Sequence, residues 1–113
     1  MTVNEFANRF NLHDSLLEKL VYNKSKNNVE LFFDFCYCQQ DDYEEDMDET
    51  GMILVEFDGV IEFKYAPHEI NSDEIVGISH KDNEIILTVF NDISNDSIDI
   101  KISANNVTVT NCK

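Results

Sequence analysis

Basic residues, glycine, proline and cysteine are all scarce in this sequence of 113 residues. Lysine and arginine number eight against 23 acids, leaving a formal charge of -15 at pH 7. A protein that coats nucleic acid needs a cationic footprint, so that class is excluded. The same shortage disfavours docking on an anionic membrane leaflet. The three glycines, Gly51, Gly59 and Gly77, stand alone, so no glycine-rich loop is present to cradle a phosphate. Three cysteines, Cys36, Cys38 and Cys112, are an odd number and suit reduced thiols better than a disulfide framework. Cys36 and Cys38 share one face of a strand, where a bridge between them would be strained. No apolar run approaches the roughly 18 residues of a membrane span. The first ten residues carry Glu5 and lack the continuous apolar stretch of a secretory signal. A cytoplasmic protein is expected.

What is present suffices for one domain, residues 1–113. Surface scaling gives a folded area of roughly 6,400 Å² against about 19,000 Å² unfolded. With 42% apolar residues, a core closes without metal or disulfide staples.

The charge is very unevenly placed. Residues 41–74 hold thirteen acids and a single base, Lys64, a net of -12. Seven of those acids fall in 41–49, around Tyr43 and Met47. A run of like charge is ordinarily a solvated loop, and self-repulsion on this scale opposes compaction. The sharper reading is an anionic face presented to a cationic partner, favoured by the aromatic and methionine residues inside the run. It requires the carboxylates of 41–74 to gather into one coherent patch.

Periodicity points to a β-rich fold. A short helix is expected over 2–10, where Thr2 and Glu5 have capping-box spacing and Val3, Phe6, Ala7 and Phe10 line one side. Residues 12–22 fit either a helix, with Leu16, Leu17, Leu20 and Val21 on its apolar side, or a strand with a bulge. From Val29 the alternation is clear: Val29, Leu31, Phe33, Phe35 and Tyr37 form an inner face, and Glu30, Phe32, Asp34, Cys36 and Cys38 a half-polar outer one. Beyond the acidic loop 41–50, residues 52–57 and 61–65 read as a hairpin around Asp58-Gly59. Keeping its faces consistent requires a three-residue connection that includes Val60. Pro67 ends that strand, and 68–74 reads as a loop or a single helical turn. The last forty residues read as a meander with turns at 81–83, 91–96 and Asn105-Asn106. The expected fold is mainly β: a single antiparallel sandwich or strongly curled sheet of about six to eight strands, with the helix over one end or edge.

No catalytic pattern emerges. Asp46, Asp48, Thr50 and Gly51 imitate half of an EF-hand loop, but its twelfth position is Phe57 and helices are missing on both sides. Cys36 and Cys38 could start a zinc site with Cys112, His13, His68 or His80, yet the second ligand pair such sites use is lacking. Small buried fillers are the better account of them. His13-Asp14-Ser15 are adjacent and cannot form a triad; Asp14 or Ser15 fits better as a partner for backbone N–H groups. No cofactor or metal is expected.

The Leu12-His13-Asp14-Ser15 run, followed by an apolar strand and then Val29-Glu30-Leu31-Phe32-Phe33, resembles the small β-rich bacterial immunity-type proteins of polymorphic-toxin systems. The block Val55-Glu56-Phe57-Asp58-Gly59-Val60 and the strand Val107-Thr108-Val109 sit where such proteins have strands. The resemblance implies that 12–22 is strand and that the protein inhibits by binding. It carries over no functional residue and does not account for 41–50.

The function expected is therefore a non-enzymatic acidic binding protein, an immunity or inhibitor protein that neutralises a basic toxin or nucleic-acid enzyme by electrostatic docking. The partner-binding residues expected are Asp41, Asp42, Tyr43, Glu44, Glu45, Asp46, Met47, Asp48, Glu49, Glu62 and Tyr65, with Tyr43, Met47 or Tyr65 as apolar anchors. Three alternatives stand beside it: a phage- or plasmid-encoded nucleic-acid mimic, a small metal-binding or hydrolytic module, and a structural protein whose charge serves solubility.

Overall fold

Alternating apolar side chains from Leu17 to Val107 turn inward and roll six antiparallel strands into a closed barrel. The computed structural model describes residues 1–36, 40, 50–65, 70, 72–91 and 95–111. In chain order the elements are helix α1 (Val3–Arg9), strands β1 (Leu16–Asn23) and β2 (Asn28–Cys36), then β3 (Thr50–Tyr65), β4 (Asp73–Lys81), β5 (Glu84–Asn91) and β6 (Asp96–Asn111). A 3-10 turn, Lys24–Lys26, joins β1 to β2. Around the barrel the order is β1-β2-β3-β6-β5-β4, with β4 returning to β1. The curled sheet is thus realised in its limiting form, a closed one, and among the described residues no second sheet is stacked on it. Among the described residues no helix is long and apolar enough to cross a membrane.

Register explains the core. Val29 faces Phe57, Leu31 faces Val55 and Phe33 faces Ile53 across β2 and β3, and all six are buried. Val55 and Phe57 face Val109 and Val107 on β6. Of residues 12–22, those from Leu16 onward take the strand alternative, as β1, with the bulge between Leu17 and Lys19, while His13 and Asp14 form a turn ahead of it. The bulge keeps Leu17 and Leu20 on the inner side, where they meet Phe33 and Leu31.

The hairpin expected at Asp58-Gly59 does not form: β3 runs through as one strand of 16 residues. A hairpin would need Ile61–Tyr65 to pair back on Ile53–Phe57, and both edges of that stretch are already occupied, by β2 and β6. Gly59, at φ 63°, instead bends the strand. The turn expected at Asn105-Asn106 is likewise absent, and β6 continues through it. Both strands change phase together here. Inward positions step from Phe57 to Val60 and from Val107 to Ala104, three residues rather than two. A bulge between Val60 and Glu62 follows, after which Phe63 faces Ile102. Asp73, expected in a loop or helical turn, already opens β4.

The helix plugs one end of the barrel. Thr2 Oγ1 accepts from the Glu5 N–H and Glu5 Oε1 accepts from the Thr2 N–H, both at 3.0 Å, completing the capping box. Val3 and Phe6 are buried, and Phe6 stacks on Phe10 and meets Phe57 edge-on. Ahead of the helix, the Val107 N–H donates to the Met1 carbonyl at 2.7 Å and the Met1 amine donates to the Val107 carbonyl. Met1 thus takes the place beside β6 that β5 leaves free beyond its start, where Glu84 faces Ser103.

The His13-Asp14-Ser15 run stitches the closure. Only Leu16–Glu74 and Leu17–Asp73 pair β1 with β4. The Asp14 N–H donates to the Ile75 carbonyl, and the Ile75 N–H donates to the Ser15 carbonyl. The buried Ser15 hydroxyl accepts from the Cys36 N–H at 2.9 Å. Backbone satisfaction is the role of Ser15, although the group it satisfies lies on β2 rather than on its own element. Asp14 adopts the left-handed conformation at φ 67°, and its carboxylate lies 3.2 Å from the exposed His13 Nδ1.

Candidate interaction surface

Positions out of phase with the core build the outer wall. On β2 these are Glu30, Phe32 and Asp34; on β3 they are Met52, Leu54 and Glu56; on β1 they include Leu16, Lys19 and Val21. Register aligns them in three rows: Leu16–Asp34–Met52, Lys19–Phe32–Leu54 and Val21–Glu30–Glu56. Glu74 of β4 extends the first row past Leu16. Outer positions of an antiparallel sheet are ordinarily polar. Here five of nine are apolar, and Met52 is 38% exposed. The helix packs on β4, β5 and β6 rather than on this wall.

The electrostatics of the wall are unbalanced. Glu30 and Glu56 stand directly opposite each other, an arrangement that destabilises a sheet by roughly 0.2–1 kcal/mol. Among the described residues neither meets a cation, nor do Asp34 and Glu74. The one base on the wall, Lys19, sits 5.6 Å from the centroid of the Phe32 ring. Below the third row, Asn28 Nδ2 donates to Asp58 Oδ1 at 3.0 Å, while the buried Asn28 Oδ1 meets no donor among the described residues.

Asp41, Asp42, Tyr43, Glu44, Glu45, Asp46, Met47, Asp48 and Glu49, expected to bind a partner, lie outside the described residues. The strand ends that flank them are described. Cys36 pairs with Thr50, two residues beyond the Asp34–Met52 pair. Gln40 ties this end to the segment after α1, accepting from the Asn11 N–H and donating to the carbonyls of Asn11 and Cys36. The described residues that flank the acidic stretch, Gln40 and Thr50, therefore both meet Cys36, next to the row that holds Asp34 and Met52.

Glu62 and Tyr65, also expected at the site, lie past the Gly59 bend on opposite faces. Glu62 points outward and contacts Lys64 at 3.2 Å and Lys101 at 3.5 Å; Lys101 also reaches Glu84 at 2.9 Å. Hydrogen bonding to Lys64 and the positive charge of Lys101 hold the Glu62 carboxyl below the usual glutamate range. The bond to Glu84 holds the Lys101 ammonium above the usual lysine value. Tyr65 is half-buried and stacks on Phe63, which meets Tyr22 at 4.9 Å.

Five described acids belong to the stretch 41–74. Glu56, Asp58 and Glu74 share the outer wall with Glu30 and Asp34. Glu62 faces two lysines instead, and Asp73 is fully buried, accepting from Asn91 Nδ2 at 2.7 Å. Sequence reasoning missed Glu30, Phe32, Asp34, Met52, Leu54 and Glu56 as a site. The signal was parity: Phe32, Met52 and Leu54 are large apolar residues in the polar phase of their strands.

Among the described residues no three His, Cys, Asp or Glu side chains converge as metal ligands. Cys36 is buried in the wall, whereas Cys38, Cys112 and His68 lie outside the described residues. Comparison with protein-family models, with curated proteins and with solved structures finds no match.

Proposed function

We propose that this chain is a non-enzymatic inhibitor of immunity type, acting in the cytoplasm by docking an anionic surface onto a basic protein such as a nuclease-like toxin. Opposite charge on two rigid surfaces steers their encounter and speeds association. A cationic active site built to hold phosphate is a natural target, because covering it blocks the reaction. The observation that carries the reading is the set Glu30, Asp34, Glu56 and Glu74 on one wall, which meets no cation among the described residues, beside strand ends that lead into seven further acids.

Co-expression with a basic protein encoded by an adjacent reading frame tests it. The expected result is a stoichiometric complex whose association rate drops steeply with salt while its dissociation rate barely changes. Replacing Asp41, Asp42, Glu44 and Glu45 with lysine should slow that association. The absence of any complex at low ionic strength, or an unchanged rate after the reversal, rules the reading out.

A further inference from the structure

Resting on that reading, we infer that the partner docks on the outer wall of β1, β2 and β3, with a Lys or Arg side chain seated between Glu30 and Glu56 and apolar side chains packed on Phe32, Leu54 and Met52. Phe32 is the centre of this wall. Glu30 and Asp34 lie along its own strand, Lys19 and Leu54 beside it on the neighbours, and Glu56 and Met52 on the diagonals. A half-buried aromatic with apolar neighbours at its side, Leu54 and Met52, and the charged groups Glu30, Asp34, Glu56 and Lys19 around them is the arrangement of an interface anchor. Phe32, Leu54 and Met52 are neighbours on the outer face, with Met52 the most open of them at 38%, so a partner can meet them together.

Charge selects the occupant. A second copy of this chain would bring Glu30, Asp34, Glu56 and Glu74 against the same four carboxylates, and like charge resists that pairing. The seven acids of 41–49 make that segment an equally poor match in charge for the wall. A cationic surface with interspersed apolar side chains fits both features. It also accounts for the opposed Glu30–Glu56 pair: repulsion tolerated in the free protein becomes attraction for one shared cation.

Two peptides serve as probes of the full chain, an oligolysine and a peptide alternating lysine with leucine, followed by amide chemical shifts at low salt. Both should move the amides of Glu30 and Glu56, and the alternating peptide should bind more tightly and also move Phe32 and Leu54. Glu56→Gln should weaken both peptides about fivefold yet raise the melting midpoint by roughly 1–4 °C, since a repulsion is removed. Phe32→Ser should weaken only the alternating peptide, about tenfold. Shifts confined to 41–49, with Glu56→Gln neutral, overturn this docking wall and leave the electrostatic inhibitor standing. No shift with either peptide overturns both.

Discussion

Gly59 on β3 and Asn105 on β6 lie across from one another, and a Cβ on Gly59 would fall 2.8 Å from Asn105 Nδ2. The two residues mark the level at which both long strands change phase. Gly59 combines a left-handed φ of 63° with this close approach, so any side chain there meets two penalties. Gly59→Ala should cost about 1–2 kcal/mol from backbone conformation alone. Adding Asn105→Gly should recover the steric part and leave the conformational part. Gly77→Ala is the control, because its added Cβ meets Thr88 at 3.3 Å without a left-handed backbone. Equal losses in thermal unfolding for Gly59→Ala and Gly77→Ala would remove the special role of the bend.

The plugged end of the barrel depends on Phe6. Its ring is 1% exposed, stacked on Phe10 at 5.3 Å and edge-on to Phe57 at 6.0 Å. Phe6→Ala should cost about 3–5 kcal/mol, combining lost burial with an unfilled cavity. Phe6→Leu should recover most of it. Denaturant unfolding measures both, and a loss below about 1 kcal/mol for Phe6→Ala would mean that the helix contributes little to closing the core.

The capping box is separable from the plug. Thr2→Ala removes the acceptor for the Glu5 N–H and should cost about 1 kcal/mol, whereas Thr2→Ser should be close to neutral. Bonding to the Thr2 backbone N–H and hydroxyl holds the Glu5 carboxyl below its ordinary range. The Thr2→Ala variant should therefore raise the Glu5 titration midpoint, read by carboxyl NMR. An unmoved midpoint would show that the box is open in solution.

The outward cluster Glu62–Lys101–Glu84 gives stability a defined pH dependence. Glu62 is more acidic when folded than unfolded. Its contribution is complete above the ordinary glutamate pKa and disappears as pH falls through the lowered value. Lys101 is shifted upward, so its contribution is complete below the ordinary lysine pKa and disappears as pH rises through the raised one. Glu84→Gln should lower the Lys101 midpoint more than Glu62→Gln does, because the Glu84 contact is 2.9 Å against 3.5 Å. The reverse order in a lysine side-chain titration would contradict the geometry.

Local chemistry was legible in the sequence wherever one element decides it. The Thr2–Glu5 spacing located the helix cap, and the alternation from Val29 assigned the inner face of β2. The turn at Asp82-Asn83 was visible too, with Asp82 left-handed at φ 56°. Asp58-Gly59 and Asn105-Asn106 misled for a shared reason. Each carries turn-forming residues, and whether such a dipeptide reverses a strand or bends it depends on whether the flanking edges are free. Those edges are claimed by β2, β3 and β6 from distant parts of the chain. The wall was hidden in the same way. Phe32, Glu30, Leu54 and Glu56 sit on two strands whose register sets them side by side, and periodicity within either strand says nothing of its neighbour. Glu62 was expected at a partner interface; Lys64, two residues along the same face of β3, was visible in the sequence, but Lys101 is brought beside it only by the β3–β6 register.

The short closure between β1 and β4 decides how the molecule comes apart. Six strands are hooped like staves, but one joint is pinned by two residue pairs and a few bonds around Asp14, Ser15 and Ile75. Thermal fluctuation should spring that joint before any other, so the Ile75 amide should exchange with solvent sooner than the Val55 amide deep in β3. Once sprung, the molecule is an unrolled ribbon with two bare borders, ready to template itself onto its neighbours. The excess of negative charge, whatever else it serves, keeps such ribbons apart.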